Sequence, residues 1–172
     1  MGIIGAGGVG LMAVSLAKAL GGAGAIAADI SESKRQAALK AGAIAAIDAS
    51  APDAATKLAA AAPDGLLAVI DFVGSPQTAK LGISAMARGG RYILVGLYGG
   101  ELSYPLPFFP MRALTVQGSY TGSLDELKEL MTLARRGAVP DFPLRMHRLT
   151  EVNDVLSSLR AGMVVGRSVV SP

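Results

Sequence analysis

The 172-residue sequence contains no cysteine and only one histidine. The absence of cysteine excludes disulfide bonds and thiolate metal ligands, and one histidine falls short of the ligand set of a zinc centre. That residue, His147, lies between Met146 and Arg148, far in sequence from the glycine-rich N-terminal segment. We interpret it as a surface residue and expect neither a metal site nor a catalytic side chain within this chain.

Long apolar runs are also absent, although 51% of the residues are hydrophobic. Eight glycines and Lys18 interrupt residues 1–24, so no stretch is long enough to span a membrane. No Lys or Arg precedes this stretch as in a signal peptide, and Ala6 stands where a myristoylation motif requires Ser or Thr. We therefore expect a soluble, cytoplasmic protein with no membrane partner.

Charged residues are few and nearly balanced, with 16 Lys and Arg against 13 Asp and Glu and a net charge of +3. No basic cluster is interleaved with aromatic residues, which is the pattern expected of a nucleic-acid-binding surface. The small positive excess predicts a mixed, solvated surface and no nucleic-acid partner.

The most informative segment that is present is the glycine loop, residues 5–10, in which Gly5, Gly7 and Gly10 fit G-x-G-x-x-G. A short apolar strand precedes it, and an alanine-rich helical pattern follows it. The three glycines serve a tight turn, close approach of the backbone to a pyrophosphate, and close packing of helix on strand. A helix N-terminus beside the loop favours phosphate groups. The loop therefore predicts dinucleotide binding.

An acidic residue follows at the spacing that this interpretation requires. Asp29 ends the next predicted strand, 19 residues after Gly10, where a carboxylate would accept hydrogen bonds from the adenosine ribose. The alternative is an aspartate that caps the next helix. A carboxylate there repels a 2′-phosphate, which favours NAD over NADP. Lys34 and Arg35 could pair with a phosphate, but we expect the carboxylate to dominate, with Lys34 near the ribose.

Strand-like and helix-like segments alternate along residues 1–120, which predicts a parallel sheet covered by helices. Ligands bind beyond the C-terminal ends of such strands, so residues 71–74 and 95–97 are candidates to line a cleft, as are Ser119 and Tyr120. Phe72 and Val73 fit the core equally well, and we interpret Asp71 as structural. Residues 96–110 are predicted to be loop, residues 124–136 and 150–160 helix, and residues 164–170 a final strand.

The whole chain resembles the C-terminal, cofactor-binding half of the medium-chain, zinc-type alcohol dehydrogenases. The matching segments follow the order of that family and span nearly the whole chain: residues 5–10, 28–30 with Lys34, 71–74, 89–96, 118–122, 159–162 and 165–167. The resemblance implies an α/β Rossmann fold, a doubly wound six-stranded parallel sheet with helices on both faces. It also implies a homodimer or higher homo-oligomer formed through the edge strand, residues 114–118.

The resemblance further implies which residues bind the cofactor. The backbone of Gly7, Gly8, Val9 and Gly10 would hold the pyrophosphate, with Gly5 forming the turn, and Arg167 would reach back to it. The adenosine would lie against Asp29 with Lys34 beside it and against Phe72 and Val73, and the nicotinamide carboxamide against the backbone of Val95, Leu97, Ser119, Tyr120 and Thr121. Ile30, Gly74 and Gly96 belong to the same segments and are expected to bind the cofactor too.

Members of that family carry an N-terminal domain that supplies the catalytic zinc ligands and most substrate contacts. We expect residues 1–120 to form the dinucleotide-binding domain and residues 121–172 to pack partly against that further domain. The chain alone is then expected to bind NAD without turnover. Two alternatives are a non-catalytic nucleotide-sensing module and a zinc-free quinone-type reductase of the same superfamily. A short-chain reductase is disfavoured because no Tyr-x-x-x-Lys pair with an upstream serine is present.

Overall fold

The computed structural model describes residues 1–139 and 143–172. Strands and helices alternate through most of the chain. The elements are β1 (Gly2–Ile4), α1 (Gly8–Ala19), β2 (Ile26–Asp29), α2 (Glu32–Lys40), β3 (Ala45–Asp48), α3 (Ala54–Ala60), β4 (Ala68–Asp71), α4 (Pro76–Ala85), β5 (Arg91–Leu94), α5 (Phe108–Arg112), β6 (Thr115–Gly118), α6 (Leu124–Arg135), β7 (Leu144–Arg148), α7 (Val152–Arg160) and β8 (Arg167–Ser171), with one 3-10 turn, Leu149–Glu151, before α7.

The first six strands form one parallel sheet in the order β3-β2-β1-β4-β5-β6. The central strand β1 pairs with β2 on one side and with β4 on the other, so the chain reverses direction across the sheet at that point. This is the doubly wound topology in which ligands bind at the carboxyl edge beside the reversal. The predicted six-stranded Rossmann sheet is confirmed.

Two hydrophobic clusters cover opposite faces of this sheet because successive strand residues point to opposite sides. Ile3 belongs to the cluster under α1 and α2, whereas Ile4 belongs to the cluster under α3 and α4. The sheet is therefore buried on both faces around β1. No helix of the described residues is both long and apolar enough to cross a bilayer.

The C-terminal part forms a second, two-stranded parallel sheet of β7 and β8. The sequence pattern predicts a final strand at residues 164–170, but β8 begins only at Arg167, after Gly166, which has a φ of +79° and lies against Pro143. Two further elements were missed. Residues 96–110 are not loop throughout, since α5 begins at Phe108, and β7 was not predicted because its five residues are mostly exposed and three of them are basic.

Candidate functional site

The three motif glycines have three different structural roles. Gly5 turns the chain with a φ of +86°, a conformation that other residues rarely adopt. A Cβ atom on Gly10 would lie 1.8 Å from the carbonyl oxygen of Gly5, so only glycine lets α1 approach β1 so closely. A Cβ atom on Gly7 would meet nothing within 4 Å. The space in front of Gly7 is thus open, and the first N–H groups of α1 have no partners within the helix and are available to an anion.

Arg167 lies beside this loop although it is far away in sequence. A Cβ atom on Gly8 would lie 2.6 Å from Nε and 2.9 Å from Cζ of Arg167, so the guanidinium packs directly against the glycine backbone. The backbone N–H of Arg167 donates to the carbonyl oxygen of Pro143 at 2.9 Å, which ties the start of β8 in place. A positive charge consequently lies next to a helix N-terminus, and both favour an anionic ligand.

Asp29 is buried at the end of β2 and its carboxylate joins two turns. Oδ2 accepts a hydrogen bond from the N–H of Ala6 in the glycine loop at 2.8 Å, and Oδ1 accepts one from the N–H of Ser31 at 2.8 Å. The second contact closes a turn onto Ser31, the N-cap residue of α2, but the Asp29 side chain does not cap the first N–H groups of that helix. Each carboxylate oxygen can accept further hydrogen bonds, so the structural role leaves room for a ribose hydroxyl.

A cavity of about 380 Å³ opens beside Asp29. Of the predicted residues, Gly5, Ile30 and Val73 line it together with Asp29. Ile30 is 73% exposed, an unusual exposure for an isoleucine, and it presents an apolar face to this space. Lys34 is half-buried in the first turn of α2. The combination of an apolar wall and a buried carboxylate suits a flat, partly polar group with hydroxyls.

The turn after β4 is held by a buried carboxylate, Asp71. Its Oδ1 accepts hydrogen bonds from the N–H groups of Val73 at 2.8 Å and Gly74 at 3.0 Å, and its Oδ2 accepts one from the hydroxyl of Tyr92 at 2.5 Å. Burial first, and the Asp71 carboxylate second, raise the pKa of Tyr92, so the phenol stays protonated as a donor. Asp71 therefore positions the cleft-lining turn, as its structural interpretation proposed.

The turn after β5 lies against the turn after β4. The N–H groups of Val95 and Gly96 both donate to the carbonyl oxygen of Asp71 at 2.9 Å. A Cβ atom on Gly74 would lie 2.1 Å from the carbonyl oxygen of Gly96, so neither glycine tolerates a side chain. Leu97 follows this contact and is 77% exposed, and it does not line the cavity beside Asp29.

The residues after β6 continue the same edge of the sheet. The N–H of Ser119 donates to the carbonyl oxygen of Leu94 at 2.9 Å, and Tyr120 and Thr121 are exposed beyond it. Thr121 has a φ of +56°, which is uncommon for a β-branched residue and costs backbone energy. Such conformations cluster at ligand sites, so the strain supports a functional interpretation of this segment.

Two predicted residues are separated by the structure. Val73 faces the cavity, whereas Phe72 packs against the α1 side of the sheet, with its ring 3.5 Å from the position of a Cβ on Gly10. Other cavity residues were not predicted from the sequence: Ala49 after β3, Gln77, Thr78 and Leu81 on α4, and Tyr98 in the turn after β5. The carboxyl-edge rule could have found Ala49, but the α4 contacts depend on helix packing.

The described residues offer no group of three or more His, Cys, Asp or Glu side chains that could hold a metal ion. His147, the sole histidine, lies on β7 in the second sheet. The donor set of the described chain thus does not fit a catalytic zinc ion.

Comparison with known proteins gives a consistent result. Residues 8–136 match the sequence model of a family described as zinc-binding dehydrogenase. An NAD-dependent alcohol dehydrogenase of Sulfurisphaera tokodaii is 34% identical over 172 residues, which is 99% of this chain and 50% of that protein. The chain spans about half the length of the curated relatives it matches.

Solved structures agree. The alcohol dehydrogenase of the hyperthermophilic archaeon Aeropyrum pernix superimposes with a TM-score of 0.91 at 38% identity, covering 99% of this chain and 49% of that one. Acetophenone reductase of Geotrichum candidum, solved in complex with NAD, gives a TM-score of 0.84 at 27% identity over 99% of this chain and 48% of that one.

Proposed function

Because the chain belongs to the zinc-binding dehydrogenase family, we propose that it is the NAD-binding half of an alcohol dehydrogenase, which transfers hydride between an alcohol and NAD. The single observation that carries the proposal is the convergence of two distant residues on the glycine loop. The Asp29 carboxylate bonds to Ala6 of that loop, and the Arg167 guanidinium packs against Gly8.

The pyrophosphate is assigned to the open space in front of Gly7. The N–H groups of Gly8, Val9 and Gly10 would donate to its oxygens, and Arg167 would neutralise its charge. A side chain at residue 7 would occupy this space without disturbing the protein itself, because Gly7 has an ordinary φ of −74°. No contact within the described fold requires glycine at this position, which supports a bound ligand as the reason for it.

The adenosine is assigned to the cavity beside Asp29. The carboxylate would accept from the ribose hydroxyls, Ile30 and Val73 would contact the adenine, and Lys34 would lie near the ribose. A negative charge at the ribose disfavours the 2′-phosphate of NADP, so NAD is the expected cofactor.

The nicotinamide is assigned to the other end of the carboxyl edge, where backbone groups of Val95, Leu97 and residues 119–121 would hold its carboxamide. When bound, the nicotinamide ring supplies the hydride acceptor. The protein's part at this end is to fix the ring by backbone hydrogen bonds, and the contact between the β4 and β5 turns makes this edge rigid.

Zinc and substrate contacts are assigned to a further domain of the intact protein. The donor set of the described residues does not fit zinc, so this chain's own part is to bind and orient the cofactor. The apolar faces of α6 and α7, which contain no buried residue, would pack partly on that domain, with residues 1–120 forming the cofactor domain proper. We accordingly propose cofactor binding without turnover for the 172-residue chain, in the cytoplasm, with the edge strand β6 as a dimer contact.

Titration of the chain with NADH and NADPH, followed by calorimetry, tests the proposal. We expect saturable NADH binding and weaker NADPH binding. Gly7→Val should weaken NADH binding by at least about tenfold, because three added carbons occupy the phosphate position. Its melting temperature should stay close to the wild-type value, since nothing lies within 4 Å of the new Cβ. Unchanged affinity in Gly7→Val would remove the glycine loop from the site.

A further inference from the structure

Arg35 makes several polar contacts at the junction of β2, α2 and β3. It lies in the first turns of α2, and its guanidinium folds back over the start of that helix. Nη1 donates to the carbonyl oxygens of Asp29 at 2.9 Å and Ile30 at 3.0 Å, and Nη2 donates to the carboxylate of Glu32. A carboxylate oxygen of Asp48, at the end of β3, lies 3.6 Å from Nη1. Only 13% of the side chain is exposed.

The two carboxylates that hold Arg35 remain ionised in this arrangement. Hydrogen bonds from Gln36 and Arg35 lower the pKa of Glu32 below its usual value. The pKa of Asp48 is lowered mainly by hydrogen bonds from the hydroxyl and the N–H of Ser50, and Arg35 adds attraction. Glu32, Asp48 and two main-chain carbonyls thus form the arginine clamp around one cation.

The clamp lies directly beneath the residue assigned to the ribose. Nη1 of Arg35 donates to the main-chain carbonyl of Asp29, a residue that lines the cavity. A guanidinium so close to a ribose would be a natural partner for a 2′-phosphate, because arginine binds phosphate through paired, charge-assisted hydrogen bonds. Here those donors face carbonyl and carboxylate oxygens instead.

We propose that Arg35 contributes to cofactor specificity because the arginine clamp keeps its guanidinium away from a 2′-phosphate, and that removal of the Glu32 and Asp48 carboxylates from the clamp would free the guanidinium to bind the 2′-phosphate of NADP. This inference rests on the proposed NAD site. Asp29 would repel the 2′-phosphate of NADP. In addition, the guanidinium that could bind this phosphate is already hydrogen-bonded to other oxygens. The β2 and β3 ends are joined by the same contacts, so the clamp also fixes Ile30 in the cavity wall.

A double-mutant cycle tests the clamp with Asp29 left in place. The four chains are wild type, Arg35→Ala, the released variant Glu32→Ala/Asp48→Asn, and the released variant that also carries Arg35→Ala. Each is titrated with NADH and NADPH, and the ratio of the two dissociation constants is the readout. A loosened turn would weaken both cofactors alike, so a merely structural role would leave the ratio unchanged.

We expect Arg35→Ala to change the ratio less than about twofold in the wild-type background, because the clamped guanidinium makes no hydrogen bond to the 2′-phosphate of NADPH. In the released background we expect Arg35 to favour NADPH by about tenfold, the worth of one charge-assisted contact. The matched control is Asp125→Asn/Glu129→Ala, which removes the same charges from the exposed helix α6. It should leave the ratio at the wild-type value.

Three results would overturn the inference. The NADPH gain of the released variant could persist after Arg35→Ala, which would assign it to lost negative charge alone. The control could show the same gain, or the released variant could show none. If the released variant binds NADH saturably and its ratio of dissociation constants is that of the wild type, the inference about Arg35 is wrong but the proposed function stands. Binding of neither nucleotide by any of the variants would overturn both.

Discussion

Residues 1–95 and residues 96–172 contain the same kinds of hydrophobic side chains, but among the described residues only the first region buries them in a core. Every buried hydrophobic residue that the structure describes lies between Ile3 and Tyr92. In the second region, α6 and α7 have apolar faces but no buried residue, and Leu106, Met111 and Tyr120 are each more than 70% exposed.

The difference separates local from non-local causes of structure. Helix α6 has a complete capping box in which Ser123 and Glu126 satisfy each other's N–H groups, as Ser75 and Thr78 do in α4. Both helices are thus specified locally, yet only α4 covers a sheet face with a core beneath it. The capping box specifies where α6 begins, but a helix of this length gains most of its stability by packing an apolar face, and α6 has no core beneath it in the described chain.

The largest expected effect comes from the same substitution made once in each region. Gly10→Val should prevent folding or cost more than about 4 kcal/mol of unfolding free energy, since its Cβ would lie 1.8 Å from a backbone oxygen that cannot move away. Gly118→Val in β6 should change stability by less than about 0.5 kcal/mol, because its Cβ meets nothing within 4 Å and valine suits a strand. Urea denaturation of both variants measures this. A similar loss in the two would contradict the comparison.

A leucine truncated in each region gives the next largest difference. Leu58, on α3, is completely buried, and Leu58→Ala should cost about 3 kcal/mol through lost burial and the cavity left behind. Leu156, on α7, is 46% exposed, and Leu156→Ala should cost less than about 1 kcal/mol in the 172-residue chain. Thermal and urea unfolding compare the two directly. Equal costs would mean that α7 is packed as tightly as α3.

The same contrast explains what could be predicted from the sequence. The strands around β1 and the glycine loop were predictable because apolar runs, turn glycines and caps are local signals, and the first region satisfies them within itself. Strand β7 was not: Leu144 and Met146 alternate with basic residues, which is a strand pattern, but the pattern is short, and the structure leaves both apolar side chains exposed. Its pairing with β8 is a non-local event that a local pattern does not encode.

The residues of the candidate site also divide into those with a local sequence signal and those placed by non-local contacts. Asp29 and the glycine loop were found by spacing, and Arg167 only by resemblance to a family. The clamp around Arg35 was not predicted, because Glu32 lies on the same helix turn but Asp48 is brought there by the β2–β3 pairing. Phe72 and Val73 lie on opposite faces of the sheet because successive side chains at a strand end point to opposite sides, so a shift of one residue changes the face.

A buried hydroxyl gives the smallest effect and the one that depends on pH. Tyr92→Phe removes the hydrogen bond to Oδ2 of Asp71, and leaving that buried carboxylate oxygen without its partner should cost about 1–2 kcal/mol near pH 7. The raised pKa of Tyr92 means that the folded chain holds this proton more tightly than the unfolded chain does. The corresponding stability is complete below about pH 10, the value for an unfolded tyrosine, and is lost as the pH rises further.

The difference in unfolding free energy between wild type and Tyr92→Phe should therefore be constant up to about pH 10 and then shrink, since the variant has no such proton to lose. Tyr120→Phe is the matched control in the second region, where the side chain is 76% exposed and the substitution should change neither stability nor its pH dependence. Urea unfolding at a series of pH values from 7 to 11 measures both. A gap that persists unchanged to the highest pH would show that the phenol is not held protonated by burial against Asp71. The contrast between a buried and an exposed tyrosine would then rest on packing alone.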